Sequence, residues 1–176
     1  MITLDDLKDI CHYAKYRTLD PFVEPLNKTM EEFEIDTPKR QAAFLAQIAH
    51  ESGEFRYVRE IASGEDYEGR EDLGNTEPGD GRRFKGRGLL QCTGRDCYRA
   101  CGLALGVDFL SEPELLETYQ YASRSAGWVW RDFKKLNPIA DKGDFKRITK
   151  LINGGMNGYS SRVMYWERAK KTLGAA

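Results

Sequence analysis

"TPKRQAAFLAQIAHESGEFRYVRE", residues 37–60, is the stretch on which the fold and the chemistry of this chain turn. Thr37 followed by Pro38 is a helix start: a hydroxyl to cap the first free N–H groups, then a proline at the first helical position. The helix this predicts carries Phe44, Leu45 and Ile48 and reaches Glu51. Phe44, Ile48 and Glu51 fall on one narrow face, at i, i+4 and i+7. An ionised carboxylate is costly to bury on an apolar face, and its cheapest response is to keep a proton. A protonated carboxyl near neutral pH is what a general acid needs. The competing reading puts Glu51 at a frayed helix end, facing water.

A second acid, Glu60, follows nine residues on. Were the helix unbroken, the two would lie ~13 Å apart along the axis and roughly on opposite faces. Ser52-Gly53 removes that obstacle, because glycine lets a helix stop and the chain turn. A bend there can carry Glu60 back across a cleft from Glu51, where an inverting glycosidase needs its carboxyls ~6.5–9.5 Å apart. Glu54 is the rival base, one helical turn from Glu51. Glu65, Asp66 and Glu68 are weaker rivals, since nothing local fixes their direction. Spacing alone does not choose among them. His50, beside Glu51, is a candidate hydrogen-bonding support.

Outward from this stretch, the 176 residues suit one domain, 1–176, with a full-sized core. Apolar residues make up 40% and charged ones 31%, as in ordinary globular chains. A net charge of -1 gives no global attraction to nucleic acid or anionic membrane. Residues 51–80 hold ten acids and three bases, and "RRFKGRG" after them is basic. The start "MITLDDLKDI" has neither a basic n-region nor an apolar h-region. No run is long enough to span a membrane. The expectation is a product made and kept in the cytoplasm, with Cys11, Cys92, Cys97 and Cys101 reduced. Cysteine spacing does not suit a metal, and no cofactor is expected.

Helices are expected from Thr3 to about Tyr16, and from Asp20-Pro21, interrupted near Pro25, to about Phe33. Further helices follow in "TGRDCYRACGLAL" and "SEPELLETYQYASRSAGWVWRDFKKL", the latter one short and one long. Another runs from Asp144 to Ile152, closed by Asn153-Gly154-Gly155, and a last from Ser160 or Ser161 to about Leu173. Between roughly 53 and 90, glycine and acids are dense. "FRYVREI" is the only strand-like piece, so an irregular lobe with a short hairpin is expected. The chain reads as mainly α.

"RFKGRGLLQCTGRDCY", residues 83–98, invites a phosphate-loop reading, but Arg87 follows Gly86 where the lysine of that signature belongs. The glycines suit close backbone approach. Gln91 and Thr93, two apart, would point the same way if extended, as a pair of neutral hydrogen-bonders for a sugar or a water. No H-E-x-x-H or G-x-S-x-G occurs. No aromatic platform accompanies the basic run to bind nucleic acid. Trp128, Trp130 and Trp166 suit core packing better than a sugar cleft.

Three pieces in order, "AHESGEF", "FKGRGLLQCTGRDCY" and "KLINGGMNGYSSR", resemble glycoside hydrolase family 19, the chitinase-like group, in its compact phage-endolysin form. The resemblance covers roughly residues 38–173. It implies a lysozyme-like α-helical fold of two lobes beside a cleft, and catalysis by inversion. The family's general acid maps onto Glu51 and its base best onto Glu60. The Gln and Ser/Thr that hold sugar and attacking water map onto Gln91 and Thr93. Asn153, Tyr98 and Arg162 match substrate-binding positions. The family's Asn before that Tyr is Cys97 here, and Glu54 stands where a second Gly is usual.

What the resemblance implies is an endolysin that cuts β-1,4 bonds of peptidoglycan strands as a monomer. It would stay in the host cytoplasm until a separate holin-type protein releases it to the wall, without stable membrane insertion. A chitinase, or a glycan-binding module without activity, are the alternatives.

Overall fold

The structure, a computed structural model, describes residues 1–175. Nine α-helices appear among them: α1 Leu4–Ile10, α2 Tyr16–Glu32, α3 Pro38–Glu51, α4 Asp80–Arg83, α5 Arg95–Leu105, α6 Tyr119–Trp128, α7 Asn137–Asp141, α8 Phe145–Asn153 and α9 Tyr159–Leu173. The mainly α expectation holds.

Helix α3 is the axis of the core. Thr37 Oγ1 accepts from Arg40 N, Pro38 sits in the first turn, and Ser52 closes the far end, as the sequence predicts. Residues Ala42 to Ala49 are all buried, Gln47 included. A helix buried all round lies inside the protein rather than on it. Its alanines allow α9 to pack closely alongside. Phe44 meets the fully buried Trp130 edge to face, with centroids 5.3 Å apart. Trp130 Nε1 donates to Asn137 Oδ1.

The N-terminal expectations need correction. Thr3 and Asp6 form the expected capping box, but α1 stops at Ile10 rather than near Tyr16. The chain then turns so that the buried Ala14 can give its N–H to Glu54, forty positions on. Helix α2 runs through Pro21 and Pro25 without the expected break. Each proline removes one N–H from the ladder. The buried stripe Leu19, Phe22, Leu26, Thr29 and Met30, packed towards α6, holds the helix together regardless. The last helix is capped by Gly158, not by Ser160 or Ser161.

The expected hairpin does not form. Residues 53–94 contain short 3-10 turns at Glu65–Tyr67 and Glu71–Leu73, the single turn of α4, and isolated bridges Arg59–Arg87 and Arg87–Cys92. Side chains replace a ladder here. Asp80, 1% exposed, takes two bonds from Arg95, which hold its carboxyl below the usual range. Glu68 accepts from Gly79 N and Gly81 N. Arg87, buried, reaches Glu117, the Arg83 carbonyl and the Tyr98 hydroxyl. The expectation of four thiols also fails. Cys92 and Cys97 are joined in a disulfide, whereas Cys11 and Cys101 are buried thiols. Burial pushes the Cys101 thiol up to about 12.

Candidate active site

The chain bends where the sequence requires it. Ser52 Oγ donates to Ile48 O and accepts from Phe55 N, so the cap turns the backbone off the helix axis. Gly53, Glu54 and Phe55 then take φ of 57°, 57° and 67° in succession. Glycine occupies this region freely, but a left-handed residue with a Cβ costs ~1–2 kcal/mol. Phe55 compensates by burying its ring against Phe22 with centroids 5.0 Å apart.

Glu51 lies at the last position of α3, before the bend. It is not held in the greasy pocket that its helix face suggested. Its side chain is 27% exposed, and Oε1 pairs at 2.6 Å with Nη2 of Arg162, which is itself buried. Arg162 is locked in turn: Nη1 donates to Gln47 Oε1 at 2.5 Å and Nε to Asn157 O. Gln47 Nε2 donates onward to Thr149 Oγ1. A guanidinium fixed on several sides sets the carboxylate in one orientation. Arg162, 1% exposed, is thus placed behind Glu51 rather than on the substrate side. Gln47 and Thr149 escaped notice in the sequence, since their partners come from distant segments.

His50 bonds to α9 rather than to Glu51. Its Nδ1 lies 3.1 Å from Ser161 Oγ. Burial, then the charge of Arg162, holds its imidazolium form below the ordinary range. Asn153 ends α8, its Oδ1 3.5 Å from Arg162 Nη2. Its Nδ2 is buried without a partner among the described residues. Buried amide donors are rarely left unpaired, which sets this Nδ2 apart among the described residues.

Glu60 sits in the irregular lobe. Its N–H donates to Gly86 O, and its Oε2 accepts from Gly86 N at 3.1 Å and from Tyr67 OH at 3.0 Å. Its Oε1 is buried and has no partner among the described residues. Tyr67 was not singled out from sequence. Its hydroxyl is shifted up by burial and by the carboxylate beside it. Gly86 is needed for closeness: an added Cβ would stand 2.7 Å from Glu60 Oε2 and 2.5 Å from Gln91 Oε1. This explains the glycine before Arg87 without invoking a phosphate.

Gln91 and Thr93 do reach a common place, though not by the expected extended segment. Gln91 has φ 23° in a turn that the Arg87–Cys92 bridge closes. Both residues line a cavity of about 480 Å³ with Asp72, Leu73, Trp128 and Ile152. One wall is therefore the irregular lobe and the other the end of α8, next to Asn153. Trp128 does face this cavity. Trp166 instead stacks on Phe145 elsewhere. Tyr98 does not reach the cleft. It is fully buried, and its hydroxyl donates to Lys85 O and accepts from Arg87, so it supports the loop instead of meeting substrate.

Glu54, the rival base, is directed elsewhere. Buried at 5% exposure, it accepts from Ala14 N at 2.6 Å and from Tyr165 OH at 3.0 Å. Both oxygens are committed to the N-terminal segment and α9. Glu54→Gln is expected to destabilise the fold by about 1–3 kcal/mol, because one of two buried donors loses its acceptor. Turnover should be unchanged. Urea unfolding and an assay of new reducing ends on the same preparation check this. A collapse of turnover in a folded variant would reinstate Glu54 as base.

A helical core beside an irregular lobe, with Glu51 at the end of α3 and Glu60 in the lobe, defines a lysozyme-like hydrolase fold. The sequence matches the family described as Chitinase class I over residues 5–165. A glycosyl hydrolase family 19 domain-containing protein of Haemophilus influenzae is 30% identical over 155 residues, covering 70% of this chain and 74% of that protein. An endochitinase of Arabidopsis thaliana is 38% identical over 140 residues, covering 76% of this chain. The match spans only 47% of that plant protein's length. Chitinase C from Streptomyces griseus superposes with a TM-score of 0.80 at 22% identity, over 98% of this chain and 76% of its own. A bacterial family 19 chitinase gives 0.81 at 22% identity, over 99% and 96%. This chain belongs to glycoside hydrolase family 19.

Proposed function

We propose that the chain cleaves the β-1,4 bonds between the amino sugars of bacterial peptidoglycan by inversion. The observation that carries the mechanism is the Glu60 carboxylate. One oxygen is anchored by Gly86 and Tyr67, and the other is buried and unpaired. A base needs a fixed oxygen with an open lone pair, and Oε1 must be uncovered for a water to reach it. Glu51, clamped by Arg162 through Oε1, takes up a proton from solvent on Oε2 before turnover and delivers it to the glycosidic oxygen. Thr93 holds a water, Glu60 Oε1 takes one of its protons, and the hydroxide attacks the anomeric carbon from the opposite face. Gln91 and Asn153 hold the sugar. No step calls for a metal or cofactor.

Peptidoglycan is supported by the resemblance to the compact endolysin form. Chitin is the second reading, favoured by the relatives named endochitinase and chitinase. Digestion of purified peptidoglycan, with the new reducing-end sugar identified by mass spectrometry, tests the first reading. Release of soluble oligomers from chitin but none from peptidoglycan would replace it with the second. On the first reading the protein acts as a monomer in lysis of a phage host, and waits in the cytoplasm until a separate holin-type protein opens the membrane. No helix among the described residues is long and apolar enough to cross a membrane. Fractionation of expressing cells, with and without such a protein, tests that arrangement.

A further inference from the structure

Immediately after Glu51 the bend forms part of a second pocket, of about 410 Å³, which the proposed mechanism does not use. Gly53, Glu54, Arg56 and Tyr57 line it from the bend, Tyr13 and Lys15 from the α1–α2 turn, Arg17 from the first turn of α2, and Tyr165 from α9. Lys15, Arg17 and Arg56 are exposed, and none has an ion-pair partner among the described residues. Most other arginines of this chain are paired: Arg40 with Asp141, Arg70 with Asp72, Arg87 with Glu117, Arg95 with Asp80, and Arg124 with Glu32. The single acid lining the pocket, Glu54, has both oxygens engaged at its floor. Tyr13, 78% exposed, and Tyr57, 40% exposed, add aromatic faces at the rim.

Free guanidinium groups beside exposed tyrosines suit a ligand that carries carboxylates on a peptide-like frame. Arginine pairs with a carboxylate through two parallel bonds, and tyrosine covers amide and aliphatic groups while losing little rotamer freedom. A glycan of N-acetylated sugars alone, such as chitin, has no charge to offer these groups. Peptidoglycan does, on the stem peptides that branch from every second sugar.

We propose that this pocket binds the carboxylate-bearing stem peptide of peptidoglycan, next to the catalytic bend, with Arg17 and Arg56 as the anion-binding side chains. The inference deepens the peptidoglycan reading above and rests on it. Its position, starting two residues after the general acid, would let a peptide branch register the glycan strand in the cleft.

The test uses the full chain with Arg17→Gln and Arg56→Gln combined. Exposed charge contacts contribute modestly, so kcat/KM on intact peptidoglycan should fall by about tenfold. On glycan strands stripped of stem peptides by an amidase, wild type and variant should match. An equal loss on both substrates, or no loss on intact peptidoglycan, would overturn the proposal. A second readout is independent of turnover. Titration with the free tripeptide L-alanyl-γ-D-glutamyl-diaminopimelate should shift the ring resonances of Tyr13 and Tyr57 in wild type and not in the variant. Absence of shifts in wild type would also overturn it. If wild type cleaves chitin but neither form of peptidoglycan, the substrate reading fails, and the tripeptide titration still decides what the pocket binds.

Discussion

Glu51→Gln should abolish nearly all turnover while leaving a folded protein. Glutamine keeps the shape of the side chain and an acceptor oxygen for Arg162 Nη2, so the clamp from Gln47 and Asn157 stays in place. It has no proton to deliver to the leaving oxygen. Loss of a positioned general acid costs about 10²–10⁴ in rate. The effect should fall on kcat with KM little changed, since Gln91 and Asn153 remain to hold the sugar. Stability should fall slightly. Removing one partner of a fully buried ion pair costs about 3–5 kcal/mol, but the retained acceptor reduces this to about 1–2 kcal/mol. Glu51 is also partly exposed, which lowers the cost further. That corresponds to a drop in Tm of a few degrees, about 2–4 °C per kcal/mol for a chain of this size. Reducing-end assays and thermal unfolding separate the two effects. Turnover near the wild-type level would remove Glu51 from the mechanism.

The second large effect is expected at Glu60. Glu60→Gln should lower kcat by about 10²–10⁴, because the amide cannot accept a proton from water. Glu60→Ala should be as inactive and less stable, since Gly86 N–H and Tyr67 OH both lose their acceptor. The alanine variant also leaves space beside Gly86 and Tyr67. Azide, which needs no base, should enter that space and restore cleavage, leaving a glycosyl azide of inverted configuration. Mass spectrometry and proton NMR of the products check this. An active Glu60→Gln variant, or azide rescue of Glu54→Ala instead, would move the base elsewhere.

Where signals are local, the sequence is legible. The limits of α3 follow from Thr37, Pro38 and Gly53. Those of α8 follow from Asp144, whose side chain accepts from Arg147 N, and from Gly154 in the left-handed region. Misreadings arise where a distant group decides the outcome. The end of α1 depends on Glu54, and the persistence of α2 through its prolines depends on α6. The turn at Gln91 depends on the bridge that Cys92 makes back to Arg87. Glu51 was legible as a candidate acid, but its surroundings were not, because Arg162 arrives from 111 positions later. Tyr67, Gln47 and Thr149 bear no motif. Their meaning comes only from the atoms they hold. Tyr98 shows the converse: it matches a motif position, yet its environment makes it a support for Arg87.

The strain at the bend belongs to the same account. Three successive left-handed residues, two of them with side chains, are an unfavourable way to leave a helix. The fold retains them because Phe55 fills the core and Glu54 ties α1, α9 and the bend together. The bend in turn lets one short segment carry Glu51 at the end of α3 and Glu60 in the irregular lobe.

Proton NMR of a soluble peptidoglycan oligosaccharide, followed from the first turnovers before mutarotation, tests this arrangement most directly. Attack by a water opposite the leaving group predicts the α-anomer as the first product. The β-anomer appearing first would mean that configuration is retained, and that Glu51 and Glu60 do not work as an acid and a base across one water.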